Sequence, residues 1–247
     1  MSGPDDRTPA AGHEPGRGDG QATSAQAAID SAVFDLDGTL WDTCPTCAIA
    51  WNGVLARRGI RFREITEHDV RRVVGKPHDQ CIREVFVGLP ESDVRVLIEE
   101  TLVEDNRAVA ELGGILYPDV ESGLRQLAAR FPLFIVSNCQ AGYIETFLGW
   151  TGLGSCFRDF ECWGNTGRAK AANLSALIER NGLLRPVLVG DTAGDQSAAR
   201  ECGVPFVYVD YGFGACADVD RRFSSFGALV AWLLRAGAND GTGIERS

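Results

Sequence analysis

The chain has 247 residues, enough for one large domain or two small ones, and its 45% hydrophobic and 23% charged residues are ordinary for a globular protein. Its 34 acidic residues outnumber 24 basic ones, and the net charge of −10 argues against binding a nucleic-acid backbone. No apolar run approaches the roughly 18 residues of a membrane span. No basic stretch followed by an apolar one opens the sequence, and the eight cysteines are scattered. A cytoplasmic protein with reduced thiols, and with no membrane partner, is expected.

Residues 1–27 are rich in Gly, Ala, Asp and Pro, with no large apolar residue after Met1, and are expected to form a disordered tail. Gly16, Gly18 and Gly20 follow no strand, so a dinucleotide-binding loop is excluded there. Ala32-Val33-Phe34 predicts a short buried strand. It runs at once into Asp35-Leu36-Asp37-Gly38-Thr39. In a strand, residues i and i+2 share a side, so the two acids are expected to face one place at its carboxyl end.

From Thr43 to Leu116 the pattern is helical throughout. Ala48, Trp51 and Leu55 mark one apolar face, and Val94, Leu97, Ile98, Leu102, Val109 and Leu112 mark a longer one. A direct crossover between parallel strands needs only about a dozen residues. A stretch of about 74 residues at this point therefore predicts a small helical domain inserted after the first strand.

After the insertion, helices and strands alternate. A helix through Leu124, Leu127 and Ala128 precedes the strand Leu133-Phe134-Ile135-Val136, which ends in Ser137-Asn138. A helix near Ile144 to Leu148 and a short strand near Phe157 to Cys162 follow. Lys170 opens an amphipathic helix with Leu174, Leu177 and Ile178 on one face. The strand Val187-Leu188-Val189-Gly190 ends in Asp191, with Asp195 four residues on. A helix over Ala198 to Cys202, a strand from Pro205 to Val209 and a helix marked by Phe226, Leu229, Val230 and Leu233 complete the pattern. Residues 237–247 look like a second flexible tail. This alternation predicts an α/β protein whose parallel sheet carries helices on both faces.

In an open parallel sheet, ligands bind outside the carboxyl ends of the strands, where strand order reverses. Polar residues at three such ends predict one shared site holding Asp35, Asp37, Asp191, Asp195, Ser137, Asn138 and Lys170. Carboxylates that close repel one another unless a cation lies among them. An all-oxygen set suits a hard divalent ion such as Mg²⁺, which leaves coordination positions open for a phosphate oxygen. A hydroxyl, an amide and an ammonium are the donor types that hold the remaining phosphate oxygens. Lysine usage points the same way. Only Lys76 and Lys170 are lysine, and every other basic residue is arginine. A compact ammonium and a planar guanidinium are not equivalent in a tight site. Arg168 is the alternative to Lys170.

Asp35-Leu36-Asp37-Gly38-Thr39, Ser137-Asn138, Lys170 and Gly190-Asp191-Thr192-Ala193-Gly194-Asp195 resemble, in order, the four motifs of the haloacid dehalogenase-like hydrolases. The resemblance runs from about Ile29 to Leu234. It implies a Rossmann-like core built from residues 28–42 and 117–236, and a helical cap over 43–116 that closes on the site. It also implies a Mg²⁺-dependent phosphatase acting on a small phosphorylated metabolite through an aspartyl-phosphate intermediate. On that resemblance Asp35 is the nucleophile and Asp37 the general acid and base. Asp35, the backbone carbonyl of Asp37, and Asp191 hold the metal. Ser137, Asn138 and Lys170 bind the phosphoryl group, while Thr39 and Asp195 support them from behind. Gly75-Lys76-Pro77 resembles a specificity loop of phosphoglycolate phosphatase-like members, so Lys76 either reaches the leaving group or caps a solvated helix end. Trp41 either lines the entrance or packs at the hinge. A monomer and a homodimer are both compatible.

Other readings stay open. A sugar-phosphate mutase of the same family keeps all four motifs, and a catalytically silent phosphate-binding member would too. Dehalogenases and phosphonate-cleaving relatives replace the second acid, so Asp37 counts against both. A response-regulator receiver has no long insertion after its first strand. Cys44 and Cys47 have a redox or half-zinc spacing, but no second pair or nearby His completes a metal set. Cys139 fits a small buried thiol. His13 lies in the tail, His68 and His78 in the insertion, and no Gly-x-Ser-x-Gly occurs.

Overall fold

The structure, a computed structural model, describes residues 29–237; the tail expected at 1–27 and that expected at 237–247, apart from Gly237, lie outside the described residues. In chain order, β1 (Ser31–Phe34) and β2 (Trp41–Asp42) lead into α1 (Cys44–Arg58), α2 (Glu67–Arg71), α3 (His78–Val85) and α4 (Glu91–Leu112). Next come β3 (Ile115–Leu116), α5 (Val120–Ala128), β4 (Leu133–Ser137), α6 (Tyr143–Thr151), β5 (Phe157–Cys162) and α7 (Trp163–Thr166). The chain ends through α8 (Lys170–Asn181), β6 (Pro186–Gly190), α9 (Ala193–Glu201), β7 (Phe206–Val209), β8 (Arg222–Phe223) and α10 (Phe226–Gly237).

Six strands form one sheet in the order β5-β4-β1-β6-β7-β8, and every neighbouring pair is parallel. Val33 lies opposite Phe134 on one side and Leu188 on the other. The chain builds outward from β1 in both directions, so strand order reverses there and a crevice opens at the carboxyl ends of β4, β1 and β6. All three strands are buried along their whole length, as central strands covered on both faces must be. Alternation divides their side chains between two layers. Ala32 and Phe34 pack with Leu124 and Leu127 of α5 and Phe226 and Leu229 of α10. Val33, Phe134 and Val136 pack with Leu174 and Leu177 of α8 and Ala198 of α9.

Helices α1–α4 carry a separate core in which Trp51, Val54, Ile82, Phe86 and Leu97 are buried together. The insertion leaves and rejoins the core through an antiparallel ribbon that pairs Trp41 with Leu116 and Asp42 with Ile115. The helical pattern expected up to Leu116 therefore stops earlier. Gly113, at φ 74°, ends α4, and Ile115 and Leu116 are extended. A two-residue strand lies below the resolution of periodicity. The same ribbon decides the place of Trp41. Its indole is fully buried, edge-on to Tyr143 at 5.7 Å and to Phe147 at 4.8 Å between ring centroids. Trp41 thus packs inside, fully buried, and is not among the residues that line the cavity at the strand ends.

Among the described residues, no helix is long and apolar enough to cross a membrane. All eight cysteines are free thiols. Phe134 is 1% exposed at the centre of the second layer, so Phe134→Ala should cost about 3–5 kcal/mol. A lower urea midpoint at unchanged m-value would record it; a midpoint equal to wild type would contradict this packing.

Candidate active site

Three neighbouring strand ends deliver the site. Asp35 follows β1, Ser137 closes β4, and Asp191 follows β6. Lys170, the first residue of α8, points its buried ammonium at Asp35 Oδ1 (2.7 Å) and Asp195 Oδ1 (2.6 Å). Arg168 is exposed and takes no part. Asp195 is held by its own helix start. Thr192 caps α9, its backbone N–H and hydroxyl donating to Asp195 Oδ2 at 2.9 and 2.6 Å while Asp195 N donates back at 3.2 Å. Thr39 donates its hydroxyl to Asp191 Oδ1 at 3.2 Å, and the backbone N–H groups of Phe213 and Gly214 donate to Asp191 Oδ2 at 2.8 and 3.3 Å. Gly38, at φ 85°, passes so close to Asp191 that a Cβ there would collide with its carboxyl group.

Asp35, Asp191 and Asp195 offer carboxylate oxygens within 4.8 Å of one another, all buried. Asp37 does not join them through its side chain. Its Oδ1 accepts from Tyr143 OH (3.0 Å) and from Thr43 Oγ1 (3.3 Å), and those two hydroxyls lie 2.7 Å apart. The two acids are not set on one side by strand alternation, because β1 ends at Phe34 and Asp35–Asp37 already lie beyond it in the turn. Both acids nonetheless reach one cavity, which is lined from the core by Asp35, Asp37, Ser137 and Asn138.

Burial dominates the electrostatics. It raises the Asp35 pKa to about 7, helped by the Asp195 charge and opposed by Lys170. It raises Asp37 to about 7 with help from Asp35, against the hydrogen bonds from Tyr143 and Thr43. It raises Asp191 to about 6 with help from Asp195, against the Phe213 and Gly214 N–H groups. For Lys170, burial pushes the pKa down, but Asp195 and Asp35 outweigh it and hold the ammonium charged. A single ammonium thus neutralises part of a three-carboxylate cluster. Asp35 Oδ2 is buried with no hydrogen-bond partner, an arrangement that costs free energy unless a ligand completes it. An orphaned carboxylate oxygen in an all-oxygen cluster of excess negative charge fits a hard divalent cation.

The remaining predicted residues lie around this centre. Ser137 Oγ accepts from Cys139 N at 3.2 Å, and Asn138 Nδ2 donates to the carbonyl of Gly75 in the insertion at 2.9 Å. Lys76 borders the cavity, yet its ammonium, on a half-exposed side chain, is bound to both carboxylate oxygens of Glu84 at 2.7 Å. Cys44 and Cys47 are buried thiols, and Cys47 borders the cavity with its Sγ 3.9 Å from Thr43 Oγ1. Sequence reasoning missed Thr43 and Tyr143, the partners of Asp37. It also missed Trp51, His78 and Asp105, which line the cavity from the insertion. Asp105 had one available signal, an acid on the apolar face of α4 between Thr101 and Val109.

A buried acidic cluster with one lysine, set at the switch point of a parallel sheet beneath a helical insertion, defines a phosphate-handling α/β enzyme. The sequence profile of the haloacid dehalogenase-like hydrolases matches residues 32–209, and the chain belongs to that family of enzymes. It is 28% identical over 222 residues to a phosphoglycolate phosphatase of Psychrobacter arcticus, covering 83% of this chain and 95% of that one. It is 30% identical over 194 residues to a phosphoglycolate phosphatase of Agrobacterium fabrum, covering 74% and 81%. A haloacid dehalogenase-like family hydrolase from Streptococcus pneumoniae shares the fold, with a TM-score of 0.72 at 19% identity over 83% of this chain and 98% of that one.

The acidic cluster makes a prediction of its own. A divalent cation should raise the thermal midpoint of the protein, by the equivalent of about 2.7 kcal/mol at a hundredfold excess over its dissociation constant. Asp191→Asn should lose most of that response, while its metal-free midpoint stays at or above wild type because one like charge is gone. Differential scanning fluorimetry with and without EDTA would check both parts. An undiminished metal response in Asp191→Asn would remove Asp191 from the ligand set.

Proposed function

We propose that the protein is a Mg²⁺-dependent phosphatase that hydrolyses a small phosphomonoester through an aspartyl phosphate on Asp35. The observation that carries this reading is the buried cluster of Asp35, Asp191 and Asp195 around Lys170, with Asp35 Oδ2 left unpaired beside the cavity. Asp35 and Asp191, with the backbone carbonyl of Asp37, would hold Mg²⁺, which when bound neutralises charge on the phosphoryl group and keeps Asp35 ionised. Asp195 orients Lys170 and shares the cluster's charge. Lys170, the Ser137 hydroxyl and the Asn138 amide donate to the phosphoryl oxygens.

In the first step an Asp35 carboxylate oxygen attacks phosphorus as the bond to the leaving alcohol breaks, and Asp37 gives its proton to the departing alkoxide. In the second step water attacks the same phosphorus while Asp37 takes a proton from it. The bond from phosphorus to Asp35 breaks, which frees inorganic phosphate and restores both acids. Asp37 suits both halves. A carboxyl group at about 7 is a competent donor and acceptor near neutral pH. Tyr143 and Thr43 hold it in place while it changes charge.

The test is release of inorganic phosphate from p-nitrophenyl phosphate with Mg²⁺. Asp35→Asn should abolish turnover with the circular dichroism spectrum unchanged, and Asp37→Asn should lower kcat by about 10²–10⁴-fold. Turnover in Asp35→Asn equal to wild type would defeat the nucleophile assignment. Tyr143→Phe should shift the pH dependence of kcat upward, because loss of a bond that favours the charged carboxylate raises the Asp37 pKa further. A pH–rate profile of this variant against wild type would show the shift, and coincident profiles would separate Tyr143 from the acid–base step.

A further inference from the structure

The insertion forms the roof of the cavity, and its hydrogen bonds limit what the roof can hold. The roof rests on the core through Asn138 Nδ2 donating to Gly75 O at 2.9 Å and Asn106 Nδ2 donating to Ala141 O at 2.8 Å. The space between roof and core is about 50 Å³. With phosphate seated among the residues proposed to bind it, the leaving alcohol points toward Trp51, His78, Asp105 and the valines 70, 73 and 74.

The polar side chains of that roof are already spoken for, and what they leave over is an acceptor. The Trp51 indole N–H donates to Asp105, at 3.0 Å from Oδ1 and 3.1 Å from Oδ2. The Thr101 hydroxyl gives its single proton to Leu97 O at 2.6 Å, so its oxygen accepts from His78 Nε2 at 2.9 Å. His78 Nδ1 then lies 3.5 Å from Asp105 Oδ2. Burial raises Asp105 to about 8 and lowers His78 to about 4, which favours the uncharged pair. The one lysine bordering the cavity, Lys76, is committed to Glu84.

We infer that the preferred substrate is a small phosphomonoester whose leaving alcohol carries a hydroxyl or an ammonium group and no second anionic group, with the lone pairs of Asp105 receiving that donor. This rests on the phosphatase reading and deepens it. A carboxylate on the leaving alcohol would enter a roof that has a buried acid and, among the described residues, no uncommitted side-chain donor and no unpaired cation, and would lose its hydration without compensation. A hydroxyl or ammonium group brings the donor that the roof lacks. The selectivity therefore departs from that named for the phosphoglycolate phosphatases the chain is similar to.

Three esters of nearly equal size separate the possibilities: 2-hydroxyethyl phosphate, 2-aminoethyl phosphate and phosphoglycolate. Each is measured as kcat/KM with the full-length protein and Mg²⁺, and p-nitrophenyl phosphate serves as the control for chemistry. The first two esters should exceed phosphoglycolate at least tenfold. Phosphoglycolate turned over as well as either, with p-nitrophenyl phosphate active, would overturn the selectivity and leave the phosphatase reading standing. No turnover of any ester, p-nitrophenyl phosphate included, would overturn the phosphatase reading itself. Asp105→Asn should move the ratio of phosphoglycolate to 2-hydroxyethyl phosphate toward phosphoglycolate by about tenfold, and an unchanged ratio in a folded variant would defeat the role of Asp105. Val74→Lys, which adds a cation to the roof, should move the same ratio in the same direction, and no movement would likewise count against the charge argument.

Discussion

The structure is organised around one electrostatic constraint, the burial of several carboxylates at a single point with one ammonium to balance them. Asp35, Asp191 and Asp195 converge at the carboxyl ends of β1 and β6, and Lys170 bridges two of them. Taking such charges out of water costs several kcal/mol per ion. The surroundings offset part of that cost with directed donors, namely the Phe213 and Gly214 amides, the Thr39 hydroxyl and the Thr192 cap. The offset is deliberately incomplete in physical terms. One oxygen of Asp35 stays unpaired, and Asp35 and Asp191 keep raised pKa values. A site that is short of positive charge is one that gains by binding a cation and, through it, a phosphate.

The rest of the fold can be understood as support for this point. Three central strands buried along their whole length give a rigid platform, so the residues following them have little freedom. Gly38 allows the chain to turn against Asp191 where any Cβ would collide. The β2–β3 ribbon with Trp41 packed on Tyr143 and Phe147 anchors the insertion beside the site. Tyr143 links the ribbon to the site, because it packs on Trp41 and also hydrogen-bonds Asp37. Asp37 is thereby tied to the element that carries the insertion.

The roof differs in kind from the floor. The floor is charged, with Lys170 among three carboxylates, whereas the roof is largely apolar with a polar cluster of Trp51, His78, Thr101 and Asp105. Under the proposed mechanism, such a division would let one phosphoryl-transfer centre serve different alcohols through changes confined to the insertion.

Much of this was legible in the sequence. The apolar runs at 32–34, 133–136 and 187–190 gave the central strands, because strands buried on both faces must be continuously apolar. The polar residues at their ends marked Asp35, Ser137 and Asp191, and the scarcity of lysine singled out Lys170. The two-residue strands β2 and β3, the short α7 and the edge strand β8 were not legible, since they hold too few residues to show a period. Nor were Tyr143, Thr43 and Asp105. Each sits on a helix or helix start where local pattern implies only packing or solvent. Sequence by itself thus determined which side chains end the strands, a local consequence of alternation and hydrophobicity. Only the tertiary structure decided which distant helices face those ends, because long-range juxtaposition follows from how whole elements pack and leaves no periodic trace along the chain.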